Sequence, residues 1–144
     1  MQTRIHIDKA EPAGYRAVLG LEKFIESTPL NRTHKDLIKI RASQINGCAF
    51  CIDMHTKEAR KAGETEQRIY ALNAWRDAPF FSEEERAILA LTEEVTLIGD
   101  HVKDETYARA EQFFEPAQLA QIVLAIITIN VWNRIGITTR LVPA

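Results

Sequence analysis

Apolar residues recur at helical rather than strand spacing along almost all of this 144-residue chain. Ile88, Leu91 and Val95, for example, follow one another at intervals of three and four residues, which places them on one side of a helix. No segment shows the strand, helix, strand alternation that builds a parallel sheet. We therefore predict an all-α fold: one compact domain spanning residues 1–144, with six or seven helices around its own core.

Residues that begin and end helices divide the chain into segments. Asn31 is a plausible N-cap, Asn46-Gly47 a stop, Ser82 and Glu85 form a capping-box pattern, and Pro116 suits a first turn. The predicted helices cover residues 15–25, 31–46, 48–63, 66–75, 82–99, 104–114 and 117–137. The last of these is apolar on nearly all sides and needs cover, some of which we expect from a partner subunit.

Charge and hydropathy exclude two classes of partner. The chain carries 18 basic and 20 acidic side chains, a net charge of -2, and shows no basic cluster, which argues against a nucleic-acid-binding surface. The most apolar stretch, 122–131, is half the length of a membrane span and contains Thr128 and Asn130, so we predict no membrane segment. The first residues lack the apolar core of a signal peptide, which predicts a cytoplasmic location.

The only two cysteines, Cys48 and Cys51, stand three residues apart, and His55 follows four residues later. These positions fall on one face of a helix, so one local element brings two thiols and an imidazole together. Any disulfide within the chain must join these two cysteines. In a cytoplasmic protein such a pair is more often redox-active or metal-binding than a structural crosslink. The absence of a βαβ unit excludes a thioredoxin-like setting.

The predicted helix would favour thiol chemistry. Cys48 should lie in the first turn, where free N–H groups and the helix dipole stabilise a thiolate, and His55 can take or relay the proton of Cys51. Cβ atoms three residues apart on a helix are roughly 5–6 Å apart, whereas a relaxed disulfide needs about 3.5–4.5 Å. A Cys48–Cys51 bond therefore requires a local adjustment and should be readily reduced.

Spacing alone leaves three interpretations open. The pair can be a redox couple, or both cysteines can be small core residues beside a structural histidine. The third is a zinc site, with His34 or His101 completing a set begun by Cys48, Cys51 and His55. We rank zinc lowest, and predict no metal, because neither extra histidine comes with a second ligand pair.

The run from Arg41 to Thr56 closely resembles the AhpD-like alkylhydroperoxidases of the carboxymuconolactone decarboxylase superfamily. The likeness continues through residues 74–76, 81–87 and 129–134, and covers most of residues 30–140. This resemblance implies an all-α fold and a homo-oligomer, commonly a trimer or a hexamer. It also implies a peroxidase cycle that needs no cofactor other than a redox-active Cys48–Cys51 disulfide.

The resemblance also implies a role for each site residue. Cys51 would attack the peroxide, Cys48 would resolve the resulting sulfenic acid, and His55 would belong to a proton relay. Asp36 stands where the family has a glutamate, so its carboxylate is one methylene further from the site. Glu85 has two candidate roles: a second acid facing the site, as the resemblance implies, and the far end of the Ser82 capping box, as its own pattern indicates.

We therefore expect a thiol peroxidase that reduces hydrogen or organic hydroperoxides and is reduced again by an external dithiol, such as a lipoyl group or a thioredoxin-like protein. One alternative is a disulfide reductase or a redox partner of another protein. Another is the decarboxylase activity for which the superfamily is named, which requires no cysteine pair. The last is a non-catalytic oligomeric scaffold. Phe50 and Tyr70 are expected to line a pocket or pack in the core.

Overall fold

The protein is a bundle of α-helices, described by a computed structural model over residues 2–143. Within that range there are eight α-helices, two single 3-10 turns at Leu72–Ala74 and Ile98–Asp100, and no strand. The helices are α1 (Ile7–Ala10), α2 (Pro12–Ser27), α3 (Arg32–Asn46), α4 (Ala49–Lys61), α5 (Glu66–Tyr70), α6 (Glu83–Thr96), α7 (Asp104–Glu111) and α8 (Pro116–Thr139).

The all-α prediction is confirmed, and seven of the helices correspond to predicted segments. The additional one, α1, is a single turn of four residues, too short to show an apolar period. The predicted helix over 66–75 is interrupted, because α5 ends at Tyr70 and the chain continues as the 3-10 turn Leu72–Ala74.

The predicted caps hold the helix ends in place. The Asn31 side chain accepts a hydrogen bond from the Thr33 N–H, and Ser82 and Glu85 form both bonds of a capping box. Gly47 ends α3 in the left-handed conformation, with φ of 70°. A residue without a Cβ enters that region at no steric cost, and the turn places α4 immediately after α3.

Helix α3 is the centre of the bundle and packs against α4, α6 and α8. Its Ile38 belongs to one buried cluster, with Ile88 of α6 and Ile126 of α8. Its Leu37 and Ile40 belong to a second. Burial on two sides fixes α3, and therefore fixes the turn at its carboxyl end from which the cysteine helix starts.

Helix α8 is 24 residues long and, by length and composition alone, apolar enough to cross a membrane. Half of its most apolar window is buried inside the chain, where α8 packs against α2, α3 and α6. Ile122, Ile126 and Ile129 face the core, whereas Leu124 and Ile127 lie on the outer face. In this fold α8 therefore serves as a core helix with one uncovered apolar side.

Candidate active site

Cys48 and Cys51 are joined by a disulfide at the start of α4, with their Cα atoms 5.3 Å apart. The sequence predicts Cys48 in the first turn of the helix, but Cys48 is instead the N-cap, and its backbone is extended (φ -82°, ψ 95°). This departure from the helix is the local adjustment that the bond requires. The Cys51 N–H, a free donor of the first turn, points at the Cys48 sulfur at 3.3 Å.

The disulfide is buried against α8, and both cysteines are 2% exposed. The contact is made at Gly136, where a Cβ atom would lie 3.1 Å from Cys48 Sγ and 3.6 Å from Cys51 Sγ. A hydrogen bond from Asn46 Nδ2 to Asn133 Oδ1, at 2.9 Å, ties the end of α3 to the same helix. The glycine and the asparagine pair together let α8 lie directly on the sulfur atoms.

His55 lies one turn beyond Cys51 and is also buried, with 5% exposure. Its Nδ1 is 3.0 Å from Oε2 of Glu58. Burial lowers the pKa of His55 below its ordinary value, and the positive charge of Lys39 acts in the same direction, against the opposing effect of Glu58. The imidazole is therefore neutral at pH 7, and a carboxylate at Nδ1 places the proton there and leaves Nε2 as an acceptor.

Asp36 is engaged elsewhere. The Arg32 Nε–H lies 2.9 Å from each of its carboxylate oxygens, and Asp36 makes no hydrogen bond to His55 within residues 2–143. Burial raises the pKa of Asp36, and Arg32 opposes that shift. The carboxylate that contacts His55 is Glu58, so a relay role for Asp36 stays a prediction that no contact supports.

Of its two candidate roles, an acid facing the site or the far end of a capping box, Glu85 has the second in the structure. Its carboxylate accepts from the Ser82 N–H at 2.8 Å and pairs with Arg68 at 2.7 Å. Burial acts to raise the pKa of Glu85, but the Arg68 and Ser82 hydrogen bonds outweigh it and the pKa is lowered. In the described part of the chain its carboxylate contacts neither cysteine nor His55.

A cavity of about 890 Å³ opens beside His55. Its larger apolar and aromatic lining residues are Tyr15, Leu19, Phe50, Met54, Trp132 and Leu141. Phe50 therefore lines a pocket, as predicted. Tyr70 is 74% exposed, so it neither lines this pocket nor packs in the core, and that prediction is wrong. Cys48 and Cys51 are buried and are not among the residues that line the cavity.

A charged cluster centred on the buried Lys39 also lines the cavity. Lys39 Nζ lies 2.7 Å from Glu22 Oε1 and 2.7 Å from Glu26 Oε1. The Trp132 indole N–H donates to the other oxygen of Glu22 at 3.1 Å. Burial acts to lower the pKa of Lys39, but its two carboxylate partners outweigh that effect and raise it. All members of the cluster except Lys39 lie in helices other than α3, which is why no motif revealed it.

The zinc interpretation has no counterpart in the geometry. Across residues 2–143, no three or more His, Cys, Asp and Glu side chains are grouped so as to hold a metal ion. His34 instead packs edge-on against Phe114, with ring centroids 6.0 Å apart.

Both the sequence and the fold of this chain are similar to those of known proteins. Residues 12–94 match the carboxymuconolactone decarboxylase family. The uncharacterized protein YdfG of Bacillus subtilis (strain 168) is 49% identical over 138 residues, which are 95% of this chain and 94% of that protein. A crystal structure from Agrobacterium tumefaciens, of a protein of unknown function suggested to be the antioxidant defence protein AhpD, superposes with a TM-score of 0.97 at 40% identity over 99% of both chains.

A more distant structure shares the fold. The debrominase Bmp8, in complex with 2,3,4-tribromopyrrole, superposes with a TM-score of 0.81 at 18% identity, over 94% of this chain and 73% of that chain. Similarity at that level shows a common fold.

Proposed function

The chain belongs to the carboxymuconolactone decarboxylase family as an AhpD-like member, and we propose that it is a thiol peroxidase for hydrogen or organic hydroperoxides. The observation that carries this proposal is the Cys48–Cys51 disulfide at the start of α4, with a buried neutral His55 one turn away and a cavity beside it. A disulfide at a helix N-terminus beside a base is suited to reversible dithiol chemistry.

In the first step the reduced protein reacts with peroxide. His55 takes the Cys51 proton at Nε2, and the Cys51 thiolate attacks one peroxide oxygen. The O–O bond breaks, Cys51 is oxidised to a sulfenic acid, and the other oxygen leaves with the proton as an alcohol or as water. Glu58 supports this step because its bond to Nδ1 keeps Nε2 free.

In the second step Cys48 closes the cycle. Its thiolate attacks the Cys51 sulfur, the S–S bond forms as the S–O bond of the sulfenic acid breaks, and the hydroxyl leaves as water with the proton that the Cys48 thiol gave up. The Cys51 N–H, aimed at the Cys48 sulfur, supports a thiolate there. An external dithiol, of the lipoyl or thioredoxin-like kind, then reduces the disulfide and is itself oxidised to one.

We also propose that the protein works as a homo-oligomer, a trimer or a hexamer, in the cytoplasm, where dithiols are kept reduced. Leu124 and Ile127, which are 37% and 43% exposed on the outer face of α8, support a subunit contact there. Sedimentation equilibrium of the purified chain tests the subunit number, and a monomer at all concentrations would contradict it.

The direct test compares the two cysteine variants under turnover with dihydrolipoamide and peroxide. Cys51→Ser should abolish peroxide reduction. Cys48→Ser, mixed with peroxide in the absence of dithiol, should react once and accumulate a sulfenic acid at Cys51 that a cyclic dione traps. Full turnover by Cys51→Ser would mean that the assignment is wrong.

Two substrate arms separate the rival functions. A small disulfide in place of peroxide tests disulfide reduction, and 2,3,4-tribromopyrrole tests the activity that names the fold neighbour Bmp8. Faster turnover of either than of any hydroperoxide would replace the peroxidase proposal. Activity towards any substrate that survives replacement of both cysteines would point to decarboxylase chemistry, which requires no cysteine pair. Absence of activity towards every substrate would point to a scaffold.

A further inference from the structure

The cavity beside His55 carries more negative than positive charge. Its lining contains four carboxylates and three cationic side chains: Asp8, Glu22, Glu26 and Glu58 against Arg32, Lys39 and Lys61. The charge of Arg32 is further neutralised by Asp36, which accepts a hydrogen bond from the Arg32 Nε–H and does not itself line the cavity. With His55 neutral, a molecule in the cavity meets a net negative surface.

Lys39 is not available as an anchor for an anion. Its side chain is 10% exposed, and two carboxylates already lie 2.7 Å from its ammonium group. Burial acts to raise the pKa of Glu26, but the hydrogen bond from Lys39 outweighs it and the pKa is lowered. The Glu22, Lys39 and Glu26 cluster therefore keeps one uncompensated negative charge at neutral pH.

The rest of the wall offers apolar surface. Tyr15 and Trp132 meet edge to face with ring centroids 5.5 Å apart, and Phe50 and Met54 extend this surface towards His55. The Trp132 N–H is already used by Glu22, so its ring presents only apolar area. The volume of about 890 Å³ is in the range of pockets that bind small organic molecules rather than single peroxide molecules.

From these observations we propose that the cavity binds uncharged, largely apolar organic molecules and rejects molecules of the same shape that carry a carboxylate. The identification of the bound molecule as a hydroperoxide substrate rests on the proposed peroxidase function. The charge preference itself does not, because it follows from the groups that line the cavity. A carboxylate placed beside Lys39 would lose hydration and face Glu22 or Glu26, because both of these already pair with the Lys39 ammonium group.

Binding to the oxidised protein tests the charge preference without any reaction. The probes are methyl 4-isopropylbenzoate and 4-isopropylbenzoate, which differ only in that one is the ester and the other the free carboxylate. Binding of each probe is measured by the quenching of tryptophan fluorescence. The ester should bind about tenfold or more tightly than the acid, as expected for a like-charge contact. The quench should disappear in Trp132→Phe, which locates the probe in the cavity.

A charge variant and its matched control sharpen the result. Glu26→Gln removes the excess negative charge and should bring the two affinities close to one another. Glu84→Gln makes the same change on the exposed surface of α6, outside the cavity lining, and should leave the ratio unchanged. Equal binding of acid and ester by the unmodified protein, tighter binding of the acid through Arg32, no binding of either probe, or a quench that persists in Trp132→Phe would each overturn the proposal.

The hydroperoxides of the same two molecules connect the preference to turnover. The ester hydroperoxide should show a kcat/KM about tenfold or more above that of the acid. If the ester binds preferentially but neither hydroperoxide is reduced, the peroxidase function fails and the binding preference stands. If both hydroperoxides are reduced at equal kcat/KM and both probes bind equally, the peroxidase function stands and the preference fails.

Discussion

Glu58 Oε2 lies 3.0 Å from Nδ1 of His55, and both residues belong to α4. The carboxylate that orients the site histidine is therefore supplied by the cysteine helix itself, three residues along from the histidine. Asp36, on α3, is occupied by Arg32. Glu58 is half-exposed while His55 is buried, so the pair spans the boundary between the cavity and the core.

Glu58→Ala should slow peroxide reduction by about tenfold or more, because His55 loses the acceptor that fixes its tautomer. The pKa of His55 should also fall further, since Glu58 opposes its lowering more strongly than Glu22 does. The pH dependence of the reaction and an NMR titration of the His55 ring report these two effects. Asp36→Asn is the matched comparison: a larger loss of rate there than in Glu58→Ala would return the relay to Asp36.

Gly136→Ala should destabilise the oxidised protein by about 1–3 kcal/mol, the usual effect of adding a methyl group to a packed core. The new Cβ would lie 3.1 Å from Cys48 Sγ, and the crosslinked sulfur cannot easily move away. Gly20→Ala, in α2, is the control because its Cβ would meet nothing within 4 Å. It should instead stabilise by about 0.5–1 kcal/mol. Urea unfolding of both variants checks the prediction, and equal effects would contradict the contact.

Stability should fall as the pH is lowered below the ordinary pKa of histidine, about 6.5. Burial lowers the pKa of His55 and of His34 in the folded state, so the unfolded chain takes up protons first. This contribution is complete above the unfolded pKa and is lost as the pH falls through the folded one. The glutamates with lowered pKa values act in the same direction, but only below about pH 4.5.

Urea unfolding between pH 5 and 8 measures this dependence, and His55→Gln isolates the contribution of one histidine. The variant should show a smaller loss of unfolding free energy over the window, with the remainder due to His34. An unchanged slope would mean that His55 is not neutral in the folded protein.

Glu85→Ala should destabilise the protein by about 1–2 kcal/mol, because it removes half of a capping box and the partner of Arg68. The peroxide reaction of the folded variant should keep its rate. Thermal unfolding and single-turnover kinetics measured on the same preparation separate the two effects. A tenfold loss of rate at unchanged stability would restore Glu85 to the site.

Local patterns in the sequence predicted much of the fold. Helical spacing, the Asn31 cap and the Ser82–Glu85 capping box are properties of neighbouring residues, and each holds in the structure. The Cys48, Cys51 and His55 arrangement was predictable for the same reason, since Cys48 caps the helix that carries Cys51 and His55. Glu58 obeys the same rule, because helix spacing places it beside His55, and it could have been found from the sequence.

Contacts between distant segments were not predictable in this way. Nothing near Gly136 in the sequence indicates that it faces the disulfide, and Glu22 and Lys39 meet only because α2 packs near α3. The Asp36 expectation came from a family position, and it did not account for Arg32 four residues earlier on the same helix face.

The most direct measurement mixes the fully reduced protein with one equivalent of peroxide in a stopped-flow instrument and counts thiols and remaining peroxide. The account predicts that two thiols disappear for each peroxide consumed, at a rate far above that of free cysteine, and that the Cys48–Cys51 disulfide is the product. Thiol loss no faster than in free cysteine, or peroxide consumption with both thiols retained, would contradict it.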